Sequence, residues 1–214
     1  MNEEITIIDS NTRNEKIKDF FINNKKIFTV SLSIILILII GYLSMKEIKE
    51  KNKVKLANQF NIAVINFKID EQETTVNQLT KLIGENDSTY SPLALFFLID
   101  NDLIKSKKEI NILFDKTINE IKLDKEIKNL IIYKKALFNS ELSSENDLLQ
   151  TLNPIINSDS KWKPHALYLI AEYFYSKNEK QKAKEIYNQI LNLKDTNRDI
   201  FLKSKIRINR DFSD

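Results

Sequence analysis

The sequence predicts an all-α protein, and three observations carry that reading. One uncharged run, Ile27 to Met45, interrupts a chain of 214 residues that is otherwise densely charged. Only two glycines and three prolines punctuate the whole length, whereas sheets and turn-rich folds need many more such breaks. Behind the apolar run, hydrophobic residues recur in short stretches at helical spacing, one pair of stretches after another. The expected architecture is a single N-terminal transmembrane helix followed by an array of helical repeats.

The apolar run reads IFTVSLSIILILIIGYLSM, with Lys25-Lys26 before it and Lys46 after it. At about 1.5 Å of rise per residue, a helix of this length covers the hydrocarbon core of a bilayer. It is Ile- and Leu-rich on every face and has no stripe to bury against a soluble core. A cleavable signal is expected to be shorter, to lie nearer the start and to end in a small-x-small site. Here a tail of 26 residues precedes the run, and Leu43-Ser44-Met45-Lys46-Glu47 offers no small pair. The expected organisation is therefore a tail at residues 1–26, a retained transmembrane helix at 27–45 and a helical domain at 46–214. Orientation is not decided by charge. Arg13, Lys16, Lys18, Lys25 and Lys26 on one side balance Lys46, Lys49, Lys51, Lys53 and Lys55 on the other.

Past the anchor the helix is expected to continue toward Asp70, with Val54, Ala57, Phe60, Ile62 and Val64 as its apolar positions. Thr75 and Gln78 read as a capping box that opens a helix through Val76, Leu79 and Leu82-Ile83, ended by Gly84. Ser91-Pro92 reads as an N-cap and first-turn proline for LALFFLIDNDLI, with a partner helix over Ile110, Leu113-Phe114 and Ile118. Glu126 to Asn139 forms the next helix, with Leu130, Ile131, Tyr133 and Ala136-Leu137 as its apolar face. Ser144 and Asp147 cap a short helix that Pro154 stops or kinks. Pro164 opens HALYLIAEYFYS, Asn178-Glu179 turns the chain into KAKEIYNQIL, and Thr196 with Asp199 caps a last, highly charged helix.

These pairs repeat. From Pro164 to about Lys194, Leu167, Ile170, Ala171 and Phe174 on one helix are followed by Ala183, Tyr187 and Ile190 on the next. Small residues that let two backbones approach, flanked by aromatics that fill the space beside them, match the tetratricopeptide repeat, with its period of about 34 residues. Ile132, Ala136, Leu148, Leu152 and Ile155 recur about 35 residues earlier, and Ala94, Phe97-Leu98, Ile110 and Phe114 about 38 before those. A looser pair spans Leu56, Ala57, Phe60, Val76 and Leu79. The predicted fold is thus a degenerate tetratricopeptide-like α-solenoid, whose charged final helix acts as its cap.

Chemistry is scarce. The chain has no cysteine, which excludes disulfides and thiolate sites. A net charge of +3 with interleaved Lys and Glu gives no nucleic-acid signature. His165 is the only histidine and has no partner at ligand spacing, Asp100 and Asp102 point to different helix faces, and Gly41 and Gly84 are isolated. Asn86-Asp87-Ser88 reads as a loop. No catalytic, metal or cofactor site and no small-molecule substrate is expected, and the protein reads as a non-enzyme. In a tetratricopeptide array the first helix of each pair lines the concave face. His165, Tyr168, Glu172 and Tyr175 fall there on one helix, and Leu130, Tyr133 and Leu137 on the preceding one. A tyrosine-rich groove of this kind suits protein segments held by aromatic anchors. The alternative is that these side chains pack on a neighbouring repeat.

The layout as a whole resembles a Gram-negative family, the tetratricopeptide-like proteins that include the ancillary SecYEG translocon subunit (YfgM-like proteins). The residues that carry the resemblance are Asp9 with Thr12-Arg13, Phe20-Phe21, Lys25-Lys26 and Gly41-Tyr42. To these is added the run from Leu152-Asn153-Pro154 through Trp162-Lys163-Pro164 and Ala166-Leu167 to the Ala183/Tyr187 helix. The resemblance implies an inner-membrane protein with a cytoplasmic tail and periplasmic repeats. It also implies association with SecYEG and with periplasmic chaperones or translocating chains. The competing expectation is an envelope scaffold in cell division or cell-wall assembly with the same fold. A third is an adaptor of reversed orientation that faces the cytoplasm.

Overall fold

The computed structural model describes residues 14–68, 71–194 and 196–212; Asp9, Thr12, Arg13 and Asp70 lie outside them. All regular structure among the described residues is helical. Residues 14–23 form a helix, followed by α1 (Lys25–Lys68), α2 (Gln72–Gly84), α3 (Tyr90–Asp100), α4 (Lys107–Glu120), α5 (Lys125–Asn139), α6 (Glu145–Ile156), α7 (Lys163–Ser176), α8 (Lys180–Leu191) and α9 (Arg198–Asp211). The chain divides into two compact units at Lys55/Leu56, and α1 contributes residues to both.

In the first unit, Asn24 turns the chain between the short helix and α1, and its side-chain amide donates to the Phe20 carbonyl at 2.9 Å. The rings of Phe20, Phe21 and Phe28 cluster at 4.8–6.0 Å. The apolar part of α1 is long enough to cross a membrane, and none of it is buried by protein. Its surface is apolar on every side, as its all-round hydrophobicity predicts. No breaker interrupts the helix after Met45, and it runs on to Lys68 as the sequence predicts.

In the second unit the helices keep a strict register. Each of α2, α4, α6 and α8 is followed, 18 residues after its own start, by the start of the next helix: 72 to 90, 107 to 125, 145 to 163 and 180 to 198. Helices α3, α5, α7 and α9 start at 90, 125, 163 and 198, so the period is 35, 38 and 35. Consecutive helices pack on each other from α2 to α9, and α5 with α7 and α7 with α9 also touch directly. The same positions are sealed each time. On the second helices they are Thr75, Ile110, Leu148 and Ala183, then Leu79, Phe114, Leu152 and Tyr187, then Leu82, Thr117, Ile155 and Ile190, all 0–3% exposed. The core falls into two clusters, one around Leu79, Leu95 and Phe114 and one around Leu152, Ile170 and Tyr187.

Several local expectations shift. The buried face of α1 is Leu56 and Ala63, whereas Val54 and Ile62 are largely exposed. Helix α2 explains this: it starts four residues earlier than expected, and Thr75, buried inside it, donates to the Ala63 carbonyl at 3.2 Å, an approach that an alanine leaves room for. Ser91 is not a cap either. It is buried and donates to the Leu82 carbonyl at 3.2 Å, while the Asp87 carboxylate receives the Thr89 and Tyr90 amides, both at 2.8 Å. Gly84 does end α2, yet the left-handed residue that reverses the chain is Asn86, φ 55°, a conformation that Asn tolerates.

On α5 the apolar face is rotated from the one expected, with Asn129, Ile131, Ile132 and Ala136 buried and Leu137 left half exposed. Ser144 caps α6 as predicted, accepting from the Asp147 amide at 3.2 Å. Pro154 does not stop α6, which continues to Ile156; so close to the helix end, its missing amide removes one bond and breaks nothing downstream. The cap of α9 is Asn197, which accepts from Asp199 and Ile200. Thr196 instead closes α8, donating to the Ile190 and Leu193 carbonyls.

Candidate protein-binding face

Helix α7 is built to hold one polar-aromatic strip on an otherwise buried rod. Pro164, Ala166, Leu167, Leu169, Ile170, Ala171, Tyr173 and Phe174 are all buried. His165, Tyr168, Glu172 and Tyr175 are the half-covered residues that share the remaining face. Pro164 in the first turn presets the helix start, and Asn178 at φ 63° ends the pair turn.

Glu172 is the centre of the strip. Its carboxylate accepts from the Tyr187 hydroxyl of α8 at 2.6 Å and from Arg207 of α9 in a two-pronged pair, with Nε at 2.8 Å and Nη2 on the second oxygen. Burial opposes its charge, but the bonds from Arg207, Tyr187 and Tyr168 outweigh burial and hold the carboxyl below its usual range. Burial, together with the neighbouring Glu172, pushes the Tyr187 phenol far above its ordinary value. Arg207 also lies over the Tyr175 ring, 4.7 Å from its centroid, and reaches Asp211 at 3.1 Å. Phe212 packs edge-on against Tyr175 at 5.9 Å and beside Tyr187 at 6.0 Å.

The other end of the strip is aromatic. Trp162 stacks on Tyr133 of α5 at 5.8 Å and 23°, and His165 closes on both rings at 5.0 and 5.9 Å. Burial and the nearby charge of Lys203 lower the His165 pKa, so its neutral form is favoured. Below this junction, Glu126 of α5 accepts from the Ser160 hydroxyl and the Lys161 amide, each at 3.0 Å. The structure thus joins His165 to Tyr133 directly, and it engages Tyr168, Glu172 and Tyr175 with the chain's own α8 and α9. Leu137, 48% exposed, and the half-covered Leu130 lie on the same helix as Tyr133.

The sequence reading missed Arg207, Tyr187, Phe212 and Trp162 as partners of the strip. A signal existed: Arg207 follows Glu172 by one period of 35 residues, and the Asp100–Lys134 pair, at 3.0 Å, is separated by 34. Opposite charges one period apart meet when equivalent helices stack. Asp100 pairs with Lys134 and Asp102 with Lys105. Among the described residues, no three His, Asp or Glu side chains are grouped to hold a metal.

No protein-family model matches the chain, nor does any curated protein or solved structure. The fold and the site therefore define the class by themselves: an all-helical protein with one helix able to span a membrane and a second unit of regularly spaced helices.

Proposed function

We propose that this protein is a membrane-anchored tetratricopeptide-like adaptor of the bacterial envelope that binds other proteins and catalyses nothing. The observation that carries the reading is the register of the second unit, 35, 38 and 35 residues between equivalent helices with the same positions sealed in each. A stack of helix pairs at this period supports a solenoid, and solenoids act through extended concave surfaces. The open part of that surface is the aromatic junction of Tyr133, Trp162 and His165 with Leu130 and Leu137 beside it. Apolar and aromatic groups there suit a short protein segment anchored by a few side chains.

The role we infer is that of a Sec translocon accessory in the inner membrane, with the tail in the cytoplasm and the repeats in the periplasm. Its partners would be SecYEG together with periplasmic chaperones or emerging chains. The resemblance of the anchor and of the Trp162–Tyr187 region to the translocon-subunit family supports it. A membrane anchor raises the effective concentration of such partners, so a weak groove suffices.

The test has two parts. A reporter that is active only in the periplasm, fused behind the repeats, should be active; cytoplasmic activity would exclude both envelope roles. A photo-crosslinking residue at Leu137 or Tyr133 should then yield adducts with translocon subunits. Adducts confined to cell-division or cell-wall proteins would replace the translocon role with the scaffold role.

A further inference from the structure

Helix α9 has the face of a first helix without the second helix that covers it elsewhere. The face is defined by equivalence along the repeat. Leu202 and Ile206 stand one period from Leu167 and Ala171; by the helix starts these correspond to Asn129 and Tyr133 on α5 and to Ala94 and Leu98 on α3. Leu167, Ala171, Asn129, Ala94 and Leu98 are 0–5% exposed and Tyr133 is half covered, whereas Leu202 and Ile206 are 44% and 58% exposed. Leu202 and Ile206 are one turn apart and so form one ridge. The opposite side of α9, with Ile200 and Ser204, is buried. Among the described residues nothing covers the ridge.

The rim of the ridge is basic. Arg198, Lys203 and Lys205 flank it, with Arg210 beside them paired to Asp211 at 2.7 Å, against Asp199 as the one acid next to the ridge on the helical wheel. A second copy docking face to face would bring two basic rims together, so self-association is disfavoured. The chain also displays what fits such a face. In α4, α6 and α8 the covering helix offers apolar side chains at i, i+4 and i+7: Ile110, Phe114 and Thr117 (the threonine through its methyl), then Leu148, Leu152 and Ile155, then Ala183, Tyr187 and Ile190.

We infer that the exposed face of α9 docks an amphipathic helix of a partner protein, with apolar residues at i, i+4 and i+7 and acidic residues flanking them. The inference rests on the repeat register and on charge, and it stands whether or not the partner of the aromatic junction is the translocon.

The test uses the full chain in detergent micelles and two labelled helical peptides with the same apolar positions, one flanked by Glu and one by Lys. Fluorescence anisotropy should show the Glu peptide binding at least tenfold more tightly than the Lys peptide, a preference that fades with salt. Leu202→Gln/Ile206→Gln should weaken the Glu peptide roughly tenfold, about the loss expected for two half-exposed apolar contacts. Both side chains are already exposed, so thermal unfolding should be unchanged by the pair, which separates lost binding from lost folding. A parallel substitution at Leu137, on α5, should leave peptide binding intact. Equal binding of the two peptides, wild-type affinity in the double variant, or a dimer that the double variant abolishes would each overturn the inference.

Discussion

Glu172 shows how one carboxylate joins three helices. It sits on α7, receives a hydroxyl from α8 and a guanidinium from α9, and is more than two-thirds covered together with Arg207. Hydrogen bonds to charged groups in such settings are worth more than neutral ones. Glu172→Gln should therefore cost about 1–2 kcal/mol of unfolding free energy. The contribution also has a pH signature. Because the folded carboxyl titrates below its ordinary value of 4.5, the unfolded chain binds its proton first as pH falls. The stabilisation is full above about pH 4.5 and is lost as pH drops through the folded value. Thermal unfolding of wild type and Glu172→Gln followed by circular dichroism should show a gap at pH 6 that closes toward pH 3; a constant gap would contradict the ion-pair account. Tyr187→Phe removes only the hydroxyl donor and should cost about 1 kcal/mol at neutral pH in the same assay.

At the scale of the helix, what the sequence makes legible is the pattern that depends on period alone. The spacing of Leu148 from Ala183 and of Leu152 from Tyr187, one period of 35, places these residues in equivalent positions, and the structure buries all four. Caps are harder to read, because several side chains near a helix start are chemically competent and only the packing decides among them. Ser91 and Thr75 have the right chemistry for capping, but each is pulled inward to bond a carbonyl of the preceding helix. The side chains of Asp87 and Asn197 accept first-turn amides of α3 and α9 instead. On α5 the burial falls on Asn129, Ile131, Ile132 and Ala136 and leaves the apolar Leu137 48% exposed, a rotation that apolar spacing alone does not show. Ser144, by contrast, has no such competing bond, and its cap is read correctly; Ser144→Ala should cost about 1 kcal/mol. Ala183 is fully buried where α8 crosses α7, so Ala183→Leu should cost about 1–3 kcal/mol through overpacking. Denaturant unfolding checks both, and a neutral Ala183→Leu would mean that the crossing is looser than its burial implies. The partners across the strip, Arg207 and Phe212, escape a reading confined to single helices because they belong to the next unit in the stack.

At the scale of the whole chain, the long apolar helix predicts its own assay. Arginine at the centre of a membrane span costs about 3 kcal/mol of insertion. Leu36→Arg/Ile37→Arg should move the protein from the carbonate-resistant membrane pellet into the supernatant or deplete it, while Lys49→Arg, outside the run, should not. Retention of the double variant in the pellet would show that this helix is not what holds the protein to the membrane. The chain carries a single tryptophan, and the fold seats it between Tyr133 of α5 and His165 of α7. The indole emission of this protein therefore arises from one seam between neighbouring helix pairs. Excitation taken up by Tyr133 passes to Trp162 only while that seam is shut, and a protonated His165 would quench it. Light thus distinguishes the parting of two units from the melting of the whole, without any label attached.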